Sequence, residues 1–151
     1  MSNKLDQITT NAGIGGSYSR LIITPSVNIL GKENTPTAPP MTALSISITF
    51  FIGDGVEGTK FASYTIKTKG VGNSDTKAYI SAFKNIRVND PGYAQFLETG
   101  KKKIIEYYNS KCDFILKNAS SMADRKEYDN AISTLTEVPE VVKNAMTSRL
   151  T

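Results

Sequence analysis

From Ala43 to Ile52 the side chains alternate almost without a break. Leu44, Ile46, Ile48, Phe50 and Ile52 fall on one face, and Ser45, Ser47, Thr49 and Phe51 on the other. A two-residue period of this kind predicts a strand with one buried face. The same period recurs from Phe61 to Lys69, where Ala62, Tyr64 and Ile66 oppose Ser63, Thr65 and Lys67. The intervening GDGVEGTK is glycine-rich, so the two runs are expected to form an antiparallel hairpin. Phe51 and Phe61 are then the strand aromatics off the main apolar faces. A first strand is expected over Leu21–Leu30, with Leu21, Ile23, Val27 and Ile29 on a common face. Pro25 cannot donate to a ladder and marks that strand as an edge or a bulge. The proline-bearing stretch 31–40 reads as a connector.

After Gly70-Val71-Gly72 the period changes. Asn73 or Ser74 is placed to cap a helix carrying Ala78, Tyr79, Ala82, Phe83 and Ile86. Asp90-Pro91 is a second start signal, with Asp as cap and Pro in the first turn. Leu97, Ile104, Tyr108, Ile115, Ala119 and Met122 then form a long apolar helical stripe, which Gly100 is expected to kink or divide. A further helix is expected over about 127–138, and Pro139 opens a last one containing Val141, Val142, Ala145 and Met146. The pattern predicts an α+β fold: a small antiparallel sheet with a packed helix, followed by a C-terminal helical hairpin. Its expected parts are an N-terminal arm at 1–19, a sheet-plus-helix domain at 20–89 and a helical region at 90–151.

Composition narrows the chemistry. The 151 residues contain no histidine and one cysteine, Cys112. The commonest general base and metal ligand are therefore missing, as are histidine-dependent triads and any internal disulfide. Cys112, beside Phe114 and Ile115, reads as a small buried hydrophobe. No stretch approaches the roughly 18 apolar residues that span a bilayer. The opening MSNKLDQITTNAGIGGS lacks the apolar core of a secretory signal, so cytosolic synthesis is expected. A net charge of +4 spread along the chain gives no specific sign of nucleic-acid binding.

The motifs are mostly structural. Gly53-Asp54-Gly55-Val56-Glu57-Gly58 spells G-x-G-x-x-G, but it joins two strands, and its carboxylates would repel phosphate; it reads as a hairpin turn. As a calcium loop, Asp54 and Glu57 lack the remaining oxygen ligands. Lys101, Lys102 and Lys103 on a helix fan around its circumference and read first as a solvated face, second as a partner contact. No catalytic, metal or cofactor-binding residue is assigned.

Two stretches carry resemblances. NASSMADRKEYDNAISTLTEVP, residues 118–139, resembles a tetratricopeptide-type helix pair. Ala119 and Ala131 stand as the small closing residues, with Tyr128 and Leu135 packing beside them. Such repeats bind proteins, and a single copy must borrow its packing from elsewhere. The strand followed by KGVGNSDTKAYISAFKNI, residues 69–86, resembles the α/β domain of curli-secretion-type lipoproteins. The order TPSVNIL, TAPPM, FFIGDGVEG, KGVGNSDTKAYISAFKNIRVN and GKKKIIEYYNSKCDFILKNA is similar to uncharacterised proteins of gut Bacteroidetes and their crAss-like phages.

The expectation is a non-enzymatic structural or adaptor protein that binds other proteins. The resemblance implies a virion or assembly component whose partners are copies of itself or other virion proteins. The alternatives are an envelope-associated or cytosolic adaptor, and an enzyme with an unrecognised site. Candidate partner contacts are Lys101, Lys102, Lys103, Val141, Val142 and Met146.

Overall fold

The computed structural model describes residues 20–144. The arm at 1–19 and Met146 lie outside the described residues. Three strands, β1 (Leu21–Asn34), β2 (Thr42–Asp54) and β3 (Lys60–Gly72), precede helices α1 (Asp75–Lys84), α2 (Pro91–Asp124) and α3 (Tyr128–Thr136). The fold is α+β. The strands form an antiparallel sheet in the order β1-β2-β3.

The alternation in β2 sets the layers. Its even positions face the helices, and Ile46, Ile48 and Ile52 are fully buried there. Burial of one such side chain stabilises by about 1.5–3 kcal/mol. The register pairs them with Thr68, Ile66 and Ala62 of β3, and with Ile29, Val27 and Ile23 of β1. Serines, threonines and lysines occupy much of the opposite face, where the Thr49 and Thr65 hydroxyls meet at 2.8 Å.

β1 is longer than its apolar pattern suggests, because Gly31–Asn34 continue the pairing past an irregularity between Ile29 and Gly31. A second irregularity, between Ile52 and Gly53, changes the phase of β3. That shift turns Phe61 inward. It is 4% exposed and edge-on to Tyr107, correcting its expected place off the core face.

The helices are laid on β2 and β3 by small residues. A Cβ on Gly70 would stand 2.2 Å from the backbone of Ala78 and Ala82, and one on Gly72 would stand 2.5 Å from Ala78 N. Two glycines facing two buried alanines therefore bring α1 into backbone contact with β3. Ser74 caps α1 by accepting from Lys77 N at 3.3 Å. Asp90 caps α2 by accepting from Gly92 N at 2.8 Å.

α2 is one continuous 34-residue helix, so Gly100 does not divide it. Gly100 instead receives the end of Ile52, which would lie 2.6 Å from an added Cβ. The helix runs antiparallel to β3: Tyr93 and Phe96 meet Tyr64, Gly100 meets Ile52, and Tyr107 meets Phe61. After a turn at Arg125–Glu127, α3 folds back. Glu140 then opens a further helical turn, whose Val142 is fully buried. A single core accordingly joins Leu21, the sheet, α1, α2 and Val142.

Candidate functional site

The end of the sheet that carries the β2–β3 turn meets the middle of α2 in a cluster of polar groups. Asp54 closes β2 and is held by its own turn: its Oδ1 accepts from Val56 N at 2.8 Å and Glu57 N at 2.9 Å. Gly58, with φ +72°, supplies the left-handed residue that completes the turn. The Asp54 side chain is 1% exposed and pairs with Arg20, whose Nη2 lies 3.1 and 3.2 Å from its two oxygens. Arg20 stands at the entry to β1, and its carbonyl accepts from Gly55 N at 2.8 Å. Burial opposes the Arg20 charge, but the adjacent Asp54 carboxylate outweighs it and raises the guanidinium above its ordinary value.

Glu57 extends the cluster outward. Its Oε2 accepts from the Tyr107 hydroxyl and from Lys111 Nζ, the latter at 3.1 Å. Lys111 Nζ also donates to the Tyr107 oxygen at 2.6 Å. The bonds from Tyr107 and Lys111 hold the Glu57 carboxyl below its ordinary range, and the bonds to Tyr107 and then to Glu57 raise the Lys111 ammonium. Arg20 Nη1 donates to Glu137 Oε2 at 3.4 Å, which ties in the segment after α3. These groups line a cavity of about 210 Å³ together with Tyr108, Phe114, Ile115 and Val138. Within it, every carboxylate contacts a cation. The arrangement clasps β1, the β2–β3 turn, α2 and the segment after α3 together.

Sharing Tyr108, Ile115 and Val138 with that cavity is an apolar groove of about 170 Å³, lined also by Cys112, Leu116, Leu135 and Lys143. Cys112 is half-buried in this wall rather than fully buried in the core. Phe114 is 71% exposed, Leu116 55% and Leu135 42%.

The expected site residues separate. Ala119 and Ala131 are buried between α2 and α3, whereas Tyr128 is 59% exposed and Leu135 lies at the groove rim. The hairpin closes on Ala131 and Thr134, whose hydroxyl lies 3.6 Å from Met122 Sδ. Tyr128 therefore does not pack into the pair as its resemblance implies. Lys101 contacts Glu98 at 3.5 Å, and Lys102 and Lys103 are exposed. Val141 is half-buried and Val142 wholly internal, so Val142 is a core residue rather than surface available to a partner.

The Arg20–Asp54–Glu57–Tyr107–Lys111 cluster joins positions up to 91 residues apart, and no local pattern links them. Asp54 beside turn glycines is its one local signal. Among the described residues no group of three or more His, Cys, Asp or Glu is arranged to hold a metal, and no helix is long and apolar enough to cross a membrane. Comparison of the chain with protein-family models, curated proteins and solved structures finds no match.

Proposed function

We propose that this protein is a non-enzymatic structural or adaptor protein that works by holding another protein. The observation that carries this reading is the apolar groove between α2 and α3, with Leu116 and Leu135 exposed on its walls. Large apolar side chains gathered beside a groove characterise surfaces that become covered by a partner. The polar cavity supports the same reading, since its ionised groups are engaged with one another across four parts of the fold. The resemblance of its motif order to uncharacterised proteins of gut Bacteroidetes and crAss-like phages supports a virion or assembly component as the narrower form of this reading.

The test is affinity capture from lysate of the native source with the wild type and a Leu116→Glu/Leu135→Glu variant. Both positions are exposed enough for the variant to keep its circular dichroism. The expected result is capture of defined proteins by the wild type, reduced at least about tenfold in the variant. Capsid, portal or tail proteins among them would support the virion reading. An identical set recovered by both chains would overturn the groove as the binding surface.

A further inference from the structure

The last described turn of the chain runs along the apolar groove. Val142 N and Lys143 N both donate to Pro139 O, at 2.9 and 3.2 Å, so the helix that Glu140 opens is established by Lys143. Within that turn Val142 is fully buried and belongs to the core. Its neighbour Lys143 lines the groove beside Leu116, Leu135 and Val138. Core and groove therefore lie about 100° apart around this helix axis.

Residues 145–151, AMTSRLT, follow and lie outside the described residues. On the same helical period Met146 and Leu150 fall about 40° and 80° round from Val142, inside the sector between Val142 and Lys143. Lys143 and Arg149 flank that sector with long stems suited to covering apolar surface. Asn144, Thr147, Ser148 and Thr151 fall on the opposite side. Val142, Met146 and Leu150 thus extend one apolar stripe in the direction of the groove.

The groove matches that stripe in length and chemistry. Its α2 wall, from Tyr108 to Leu116, spans about 12 Å, and seven helical residues span about 10 Å. Lys143 is the one charged residue that lines it. Leu116 and Leu135, 55% and 42% exposed, are the side chains that a third helix would cover.

We infer that residues 145–151 continue the helix opened by Glu140 and seat Met146 and Leu150 in the groove, as a resident cover that any other partner has to displace. The chain's own segment is the occupant favoured, because Lys143 starts it at the groove wall and so presents it there at high effective concentration. This deepens the protein-binding reading and rests on it in one respect: the surface offered to a partner is regulated by the chain that carries it.

The full chain is examined first by methyl nuclear Overhauser spectra with labelled methionine and leucine. Cross-peaks from Met146 to Leu116 and Leu135 are expected, and their absence overturns the inference. The second readout is the rate at which iodoacetamide alkylates Cys112, the single cysteine, in the groove wall. Met146→Ser/Leu150→Ser should raise that rate at least about tenfold with the circular dichroism retained, whereas Thr147→Ser, on the opposite side, should leave it unchanged. Equal rates in wild type and double variant overturn the cover. Cross-peaks in a wild type that sediments as a dimer give the seat to a second copy's segment and overturn it likewise. The double variant should also capture more of any protein that needs Leu116 and Leu135, since the competent fraction sets apparent affinity. Capture through those leucines without cross-peaks sinks this inference and leaves the binding reading standing. Cross-peaks without any captured protein support the cover and remove the binding reading.

Discussion

Tyr93 sits at 4% exposure between Phe50 and Tyr64, edge-on to both rings, and its hydroxyl has no hydrogen-bond partner among the described residues. Burial pushes its pKa up to about 12, with the neighbouring Tyr64 and Asp90 adding to the effect. The folded state therefore favours the neutral phenol. Its contribution is fully present below the ordinary value of 10 and is lost as pH rises through about 12, because only the unfolded chain ionises freely in that interval. Tyr93→Phe keeps the ring contacts and removes an unsatisfied buried group. The expected outcome is unchanged stability or a gain of about 1 kcal/mol at neutral pH, with a shallower fall in melting temperature above pH 10 than in the wild type. A loss of more than about 1 kcal/mol at neutral pH would mean the hydroxyl has a partner.

Among the elements, α1 depends most sharply on single small residues. Gly70→Ala would drive a methyl group into the α1 backbone, which has no flexible end to yield, and should cost about 1–3 kcal/mol. Urea midpoints would measure this, and an unchanged midpoint would refute the close approach. The sequence displays Gly70, Gly72, Ala78 and Ala82 openly, and the strand alternation shows which face each strand buries. Phe61 is hidden because a one-residue slip reverses its face, and nothing in the local pattern announces the slip. Gly100 misleads for the opposite reason. In isolation glycine weakens a helix, but here its missing side chain admits Ile52, and the tertiary contact decides. Tyr128 has the spacing of a packing residue, yet α3 turns only a narrow stripe toward α2. The polar cluster lies beyond local reading altogether, because its partners meet only after the sheet and α2 have assembled.

Across the whole molecule, two ionic clasps hold opposite ends of the sheet. Glu57 with Tyr107 and Lys111 fastens the β2–β3 turn to α2, and Lys32 with Asp75 fastens β1 to the start of α1. The Tyr107 and Lys111 bonds lower the Glu57 carboxyl from its ordinary 4.5, and the Lys32 bond lowers Asp75 from 3.8. The unfolded chain then binds more protons in acid, so both clasps contribute above those ordinary values and are lost as pH falls through the lower folded ones. A Glu57→Gln/Asp75→Asn variant should show a flatter decline of melting temperature in that acid range than the wild type. Parallel curves would mean that neither clasp matters to stability. The candidate binding groove lies beside the Glu57 clasp, along the Tyr108–Leu116 stretch of α2.

That placement gives α2 a mechanical character. Its first part is bedded on the sheet by Tyr93, Phe96, Gly100 and Ile104, and the last tie to the β2–β3 turn is at Lys111. The remaining 13 residues, Cys112–Asp124, extend about 20 Å farther along the helix. The result is a cantilever: the sheet is the wall, Glu57 is the last bolt, and α3 braces the overhang from one side. A load on Phe114 or Leu116 is therefore transmitted as torque to the β2–β3 turn, and a partner held there under the proposed function would be kept at a set stand-off from the sheet.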